Sequence, residues 1–258
     1  MRRKLFVAAT SQVLLIVGLA GTRPAIALDT LDGSAHPSVG HIFAQQSDPT
    51  TCSAEVISGC AATLISPTVA VTSGACAEAL VNATEYGYNL TAIWISFNGS
   101  DPFDCATASR VSSVQFHPGF DPNDPGTAVD IGVAVLAAPA AAIPATLPAA
   151  GSQGGLARGD RFDSVGWAQD NKGNIFTLRR RIGPLAFQSD DASFLSMHLA
   201  KSGNTCATGY DGGAAFYPGS QDLAGLDNGE GNGCKNGTFL RLDTATSRDF
   251  LADYVTVP

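Results

Sequence analysis

Short apolar runs, many alternating with polar residues, recur along most of the chain. They are rich in Val, Ile, Phe and Thr, and clusters of Gly, Pro, Asn and Asp separate them. This pattern is typical of β-strands joined by turns, and it favours an all-β sandwich or pair of barrels. Strands are predicted at Glu55–Ile65, Val69–Thr72, Leu90–Phe97, Val111–Phe116, Ile131–Ala137, Phe162–Trp167, Phe194–Leu199 and Phe239–Leu242.

Two segments depart from the strand pattern. Ala138–Ala150 is rich in Pro and Ala and has no charge, which predicts an extended crossing between two halves rather than a core element. Near the end, the apolar residues repeat with helical spacing behind good N-cap residues. We therefore expect one C-terminal helix that begins at about Thr244. Its predicted apolar face comprises Phe250, Leu251, Tyr254 and Val255.

The first residues have the composition of a secretory signal peptide. Basic residues at 2–4 precede an apolar stretch that ends in Ala25-Ile26-Ala27. A membrane anchor is the weaker interpretation, because polar residues at 10–12 interrupt an already short apolar run. We expect a leader over residues 1–27, one domain over residues 28–258, no membrane span and a secreted protein.

Charge and cysteine content narrow the possible partners. The net charge of −8 disfavours nucleic acid and anionic lipid. Six cysteines in an exported chain suggest three disulfides, and spacing alone leaves their pairing open. The chain has no CxxC pair and its four histidines are scattered, so neither a metal site nor a cofactor is expected. In a eukaryotic host, four sequons could carry glycans, at Asn82, Asn89, Asn98 and Asn236.

Several segments, taken in order, resemble the trypsin/chymotrypsin-like serine proteases. The resemblance covers nearly the whole chain after the leader, and it implies two six-stranded antiparallel β-barrels followed by a C-terminal α-helix. The segments that carry it are HPSVGHI (36–42), CAATLISPTVAVTSGAC (60–76), HPGF (117–120), VDIGVAVLAAP (129–139), SVGWA (164–168), CATGYDGGAAF (206–216) and FLRLDTATSRDFLADYV (239–255).

The catalytic chemistry of that family needs a serine nucleophile, a histidine base and an aspartate that orients the histidine. By resemblance, the histidine position immediately precedes Cys76 and is occupied by Ala75. An alanine side chain cannot accept a proton. The aspartate position is retained as Asp130, which we expect to serve as an acceptor for backbone N–H groups in the barrel seam.

The serine position has two possible registers. One assigns it to Asp211, which keeps the following glycines and Phe216 in phase, and the other assigns it to Gly212. Neither residue carries a hydroxyl. In the preferred Asp211 register, the backbone of Gly209 and Asp211 is the remnant of the oxyanion hole. In the family, an aspartate before the serine binds the N-terminal ammonium that zymogen cleavage creates. Tyr210 occupies that position in this register and cannot form the ion pair. The sequence also has no Arg/Lys-Ile-Val-Gly-Gly activation site.

The resemblance also pairs the cysteines. It joins Cys60 to Cys76 and Cys206 to Cys234, which leaves Cys52 and Cys105 for each other. None of the four histidines is expected to replace the missing base. They are His36, His41, His117 and His198.

The leading functional hypothesis is a secreted serine protease homologue without peptidase activity. Its partner is expected to be another secreted protein: a protease, an inhibitor or another hydrolase. A second hypothesis is an unconventional hydrolase that uses Asp130 and Asp211 as a carboxylate pair. A third is an exported structural protein without a specific partner.

Overall fold

The computed structural model describes residues 29–53, 60–124, 129–167, 179–199, 212–230 and 236–258. Its elements follow the predicted all-β order. The predicted two-barrel architecture with a C-terminal helix is confirmed. The predicted leader, Cys206, Gly209, Asp211 and Cys234 lie outside the described residues.

The first barrel is closed and antiparallel, with strand order β2-β3-β4-β7-β6-β5. Alternating side chains point into and out of its wall, so Ala134 faces the interior while Val133 faces the second barrel. The strands are β2 (Val39–Gln45), β3 (Cys60–Ser66), β4 (Val69–Thr72), β5 (Ala92–Ser96), β6 (Ser109–Phe116) and β7 (Gly132–Leu136).

The second barrel closes through pairing of its first two strands, with order β9-β10-β13-β12-β11-β8. A short β1 (Asp29–Leu31) adds to β9 outside this ring. The ring strands are β8 (Arg161–Gly166), β9 (Arg180–Asp190), β10 (Phe194–Leu199), β11 (Ala214–Phe216), β12 (Leu223–Glu230) and β13 (Asn236–Arg241).

An apolar cluster between the two barrels joins them. It contains Val71 and Val133 from the first barrel and Val165 and Leu240 from the second. Burial of such side chains contributes roughly 1.5–3 kcal/mol each, so this shared cluster holds the barrels together. The C-terminal helix packs on the same cluster.

Two α-helices and one 3-10 helix (Ser152–Gly155) complete the described fold. The C-terminal helix α2 (Ala245–Ala252) starts after its N-cap Thr244, as the sequence predicted, and buries Phe250 and Leu251. The other, α1 (Gly74–Val81), was not predicted, because a short apolar run does not distinguish helix from strand. Its available signal was Ser73, whose side chain caps the helix by accepting the Cys76 N–H at 3.1 Å.

The Pro- and Ala-rich crossing differs from its prediction in one respect. It is extended, and Thr146 forms an isolated bridge with Asp222. However, Ala145 and Leu147 are buried in the cluster between the barrels, so the expectation that the segment lies outside the core is wrong for these two residues. An extended chain that crosses a barrel seam necessarily turns alternate side chains towards it.

Candidate functional site

The corner that contains Ala75, the predicted histidine position, lies where β4 passes into α1. The N–H of Ala75 donates to Asp130 Oδ1 at 2.8 Å, although 55 residues separate the two. Asp130 is only 2% exposed and precedes β7. The structure therefore brings together Ala75 and Asp130, the two positions that the sequence analysis selected in the first barrel.

Close packing surrounds this pair. A Cβ atom on Gly74 would lie 2.9 Å from both Asp130 Oδ1 and the Phe120 ring, so a side chain there would displace the carboxylate. The neighbouring hydroxyl groups have structural roles. Thr72 Oγ1 donates to the Ala61 carbonyl at 2.7 Å, and Ser73 caps α1. Both residues are fully buried, which leaves neither hydroxyl exposed as a substitute nucleophile.

Gly212 is held tightly against the first barrel. Its φ of +87° is a conformation that favours glycine, and a Cβ there would lie 2.3 Å from Thr72 Oγ1 and 2.4 Å from the Ala61 carbonyl oxygen. Its N–H donates to the Asp227 carbonyl at 3.3 Å. The end of the CATGYDGGAAF segment therefore contacts the Thr72 side of the corner.

Two disulfides lie in the first barrel and its loops. Cys60 bonds to Cys76, which ties the start of β3 to α1, and Cys52 bonds to Cys105. A cross-link that closes a loop of the Cys60–Cys76 size contributes about 3 kcal/mol in the chain-entropy account. The Cys60–Cys76 bond thus anchors the helix that presents Ala75.

The sequons differ in their surroundings. The amide of Asn82 donates to Glu78 Oε1 at 2.9 Å, and that of Asn98 donates to Asp104 Oδ2 at 2.9 Å. Asn89 is exposed in the segment between α1 and β5, while Asn236 begins β13. Glycosylation at any of the four remains a prediction.

A buried ionic cluster joins the N-terminal segment to both barrels, and the sequence analysis missed it. Asp32 accepts from His36 Nδ1 at 2.6 Å and from Arg179 Nε at 3.0 Å. The same arginine donates to the carbonyls of Gly33 and Val39, at 2.6 and 2.8 Å. Arg179 occurs in a run of three arginines, and nothing in that run shows which one is buried.

The electrostatics of this Asp32–His36–Arg179 cluster follow from burial and pairing. Burial alone raises the pKa of Asp32, but hydrogen bonding to His36 and the charges of His36 and Arg179 outweigh it, so the pKa lies below its ordinary value. Burial lowers the pKa of Arg179, and Asp32 opposes that change. The cluster is a compensated set of buried charges.

The other histidines also have structural surroundings. Burial lowers the pKa of His41 to about 4, although a hydrogen bond to the Pro102 carbonyl favours the charged form. Its ring packs edge-on against Trp167. His117 Nδ1 accepts the Gly119 N–H at 3.0 Å, and His198 lies in β10 of the second barrel.

Two negative findings apply to the described part of the chain. Within it, no three His, Cys, Asp or Glu side chains form a group that could hold a metal ion. None of its helices is long and apolar enough to cross a membrane.

Comparison with known proteins identifies the fold. No protein-family model and no curated protein matches the chain. Among solved structures, it superposes on the Vibrio cholerae VesB protease with a TM-score of 0.65 and 12% identity, covering 87% of this chain and 66% of VesB. The chain thus spans slightly less than two thirds of that protein.

Other solved structures are matched over nearly their full length. A Glu endopeptidase gives a TM-score of 0.61 at 14% identity, covering 87% of this chain and 95% of that enzyme. Human heparin binding protein gives 0.64 at 15% identity, with coverage of 90% and 99%. The two closed barrels and these likenesses show that the chain has the fold of the trypsin-like serine proteases.

Proposed function

We propose that this chain is a secreted serine protease homologue without peptidase activity, which acts by binding another secreted protein. The observation that carries the proposal is the 2.8 Å hydrogen bond from the Ala75 N–H to Asp130. It supports the equivalence of position 75 with the family's histidine, and the side chain at that position is a methyl group. A methyl group at that position cannot take the proton of a hydroxyl nucleophile, so it cannot serve as the activating base.

The surroundings of Gly212 support the register that assigns the serine position to Asp211. Any side chain at position 212 would overlap Thr72 Oγ1 and the Ala61 carbonyl oxygen. A nucleophile at position 212 is therefore sterically disfavoured. This steric objection does not apply to the other register, which uses Asp211. In the Asp211 register both reactive groups of the triad are replaced.

The expected loss of activity is large. In subtilisin, loss of the serine or the histidine alone lowers turnover by about six orders of magnitude. The carboxylate-pair alternative, with Asp130 and Asp211, has less support because Asp130 is 2% exposed and already accepts a backbone N–H. A buried carboxylate in that position suits a structural role better than proton transfer to a substrate.

Localisation and partner class rest on the same observations. Two disulfides and the leader-like N-terminus support an extracellular protein. The name of human heparin binding protein states that it binds heparin, but a net charge of −8 makes a polyanion an unfavourable partner here. We therefore favour a protein partner, such as a protease, an inhibitor or another hydrolase.

Fluorophosphonate labelling tests the proposal at the site itself. The reagent modifies an activated serine, so the purified chain should remain unlabelled while an active trypsin-like protease in the same sample is labelled. A matched sample of the Asp130→Asn variant identifies the labelling of contaminating proteases. Such labelling should be the same in both samples, because the substitution changes only this chain. Stoichiometric labelling of the wild-type chain that Asp130→Asn abolishes would overturn the proposal.

A further inference from the structure

A groove opens in the wall of the first barrel, between β5 and β6. Its volume is about 290 Å³. Thr91–Ile93 line one side, Arg110–Val114 line the other, and Leu80 and Val81 from the end of α1 close it from a third direction. The groove is thus formed by two strands that diverge and a helix end placed against them.

The divergence leaves strand edges open. The pairing of β5 with β6 comprises Trp94 with Arg110 and Ile95 with Ser109. Beyond this point β6 continues to Phe116 and pairs with β7 along its other edge. Throughout the described residues, no strand pairs with the groove-facing edge of Val111–Phe116. An open edge presents backbone donors and acceptors that can pair with an added strand.

Exposed large apolar side chains occur at the end of α1 and in the segment that follows it. Val81 is 47% exposed, and Tyr86 and Tyr88 are 53% and 45% exposed. All three lie within eight residues at the end of α1 and in the segment that follows it, directly before the groove residue Leu90. Val81 also lines the groove, and exposed large apolar side chains at a groove are typical of protein interaction sites.

Among the described residues that line the groove, Arg110 alone carries a charge. Its guanidinium lies over the Trp94 ring, 5.1 Å from the centroid, and donates to the carbonyls of Pro49 and Thr91. These contacts fix the cation at the point where β5 and β6 part, with some of its five N–H donors still available. The hydroxyl groups of Thr91, Ser112 and Ser113 lie in the lining beside its apolar side chains. A mixed groove with one fixed cation at its end complements a segment that has both apolar and hydroxyl side chains and carries a carboxylate.

This charge arrangement also decides between two kinds of occupant. A second copy of the chain would bring a second net charge of −8 to the interface, and the two molecules would repel each other. A short extended segment of another protein avoids most of that repulsion. It can also supply alternating apolar side chains on the face that meets Leu80 and Val81.

We infer that this groove binds an extended peptide segment of a partner protein, which adds as a strand to the open edge of β6. Its backbone pairs with Val111–Val114, its apolar side chains contact Leu80, Val81 and Ile93, and a carboxylate at one end meets Arg110. The surface lies in the first barrel, apart from the Ala75–Asp130 corner. The inference therefore stands whether or not the chain hydrolyses peptides.

Synthetic peptides test the inference on the full chain. The probe alternates valine and threonine and ends in glutamate, and its matched counterpart ends in lysine. A third peptide has proline at its centre, which removes a backbone donor and disfavours strand pairing. In two-dimensional NMR of the ¹⁵N-labelled protein, the glutamate peptide should shift the amide signals of Ile93 and Val111–Val114. It should bind roughly tenfold tighter than the lysine peptide, and the proline peptide should not bind.

Charge reversal provides the decisive variant. Arg110→Glu should reverse the preference to the lysine peptide, whereas Arg158→Glu, which reverses an exposed arginine outside the groove, should leave it unchanged. If Arg110→Glu fails to fold, Arg110→Gln should abolish the preference between the two peptides. Equal binding of both peptides to the wild type, shifts confined to other surfaces, or groove shifts that depend on protein concentration alone would each overturn the inference.

Discussion

Asp130 and Asp32 are both buried aspartates, but the contacts recorded around them differ in kind. At the Ala75–Asp130 corner the carboxylate accepts a backbone N–H from a residue whose side chain is a methyl group. In the ionic cluster, Asp32 and His36 form an Asp–His pair at 2.6 Å, the arrangement that orients a catalytic base. Ala75 therefore occupies the predicted histidine position beside Asp130, whereas an Asp–His pair occurs at Asp32 and His36.

Burial explains why the Asp32–His36 pair is structural. His36 is 2% exposed, its ring packs 4.5 Å from that of Phe216, and Asp32 also binds Arg179. A base in those surroundings has no access to a substrate proton. The comparison teaches that an Asp–His pair acquires chemistry only from exposure and an adjacent nucleophile, whereas in isolation it can hold chain segments together.

Substitution of each aspartate by asparagine should give the largest difference, measured as the loss in the free energy of unfolding. Asp32→Asn leaves the buried Arg179 guanidinium without its counter-charge, which costs about 3–5 kcal/mol. Asp130→Asn keeps an oxygen that can accept the Ala75 N–H, so the expected cost is about 1 kcal/mol. Urea unfolding monitored by fluorescence measures both. Equal costs would contradict the distinction between an ionic cluster and a backbone acceptor.

His41 extends the comparison to a buried histidine that bonds to a backbone carbonyl, that of Pro102. Its folded pKa of about 4 lies below the ordinary 6.5, so the unfolded chain takes up a proton first as the pH falls. The contribution of neutral His41 to the free energy of unfolding is therefore complete above pH 6.5. About 3 kcal/mol of the free energy of unfolding is lost as the pH falls to 4.

The His41→Phe variant isolates this contribution. Phenylalanine retains an aromatic ring against Phe103 and Trp167 but cannot titrate. Unfolding free energies measured at several pH values from 7 to 4 should fall less steeply for this variant than for the wild type. Identical slopes would show that His41 does not contribute to the acid sensitivity.

Gly212→Ala probes the contact between the segment after Asp211 and the first barrel. The added Cβ would overlap Thr72 Oγ1, and the positive φ is unfavourable for alanine, so we expect a loss of about 2 kcal/mol. Gly219→Ala is a matched control, since φ is also positive there but a Cβ would meet no atom within 4 Å. Thermal unfolding should show the larger decrease for Gly212→Ala, and equal decreases would refute the steric argument.

The smallest expected effect is the gain in turnover from restoring the triad residues. Ala75→His with Asp211→Ser completes a triad with Asp130 on paper, but Tyr210 still cannot bind an N-terminal ammonium. Two residues separate Cys206 from Gly209, one more than in the family's motif. This extra residue would also misplace an oxyanion donor, and an error of about 1 Å can cost about a hundredfold. A peptide-ester assay should find little turnover. Robust turnover by the double variant would mean that the oxyanion hole is already formed.

The sequence predicted the barrels because strand alternation and turn residues repeat locally. The order of motifs also led to the Ala75–Asp130 corner, where both residues lie in or beside regular elements. The Asp32–His36–Arg179 cluster could not be predicted, because it joins residues more than 140 positions apart through side-chain geometry. The groove was missed for a related reason: where β5 and β6 part depends on how α1 packs, and periodicity does not encode that.

Turnover of a peptide ester by the purified wild-type chain tests the central claim most directly. Parallel preparations of wild type and Asp130→Asn, made and purified identically, control for contaminating proteases. The account predicts the same background rate in both preparations, without saturation as the substrate concentration increases. Saturable turnover by the wild type that co-purifies with the chain and is lost in Asp130→Asn would contradict it.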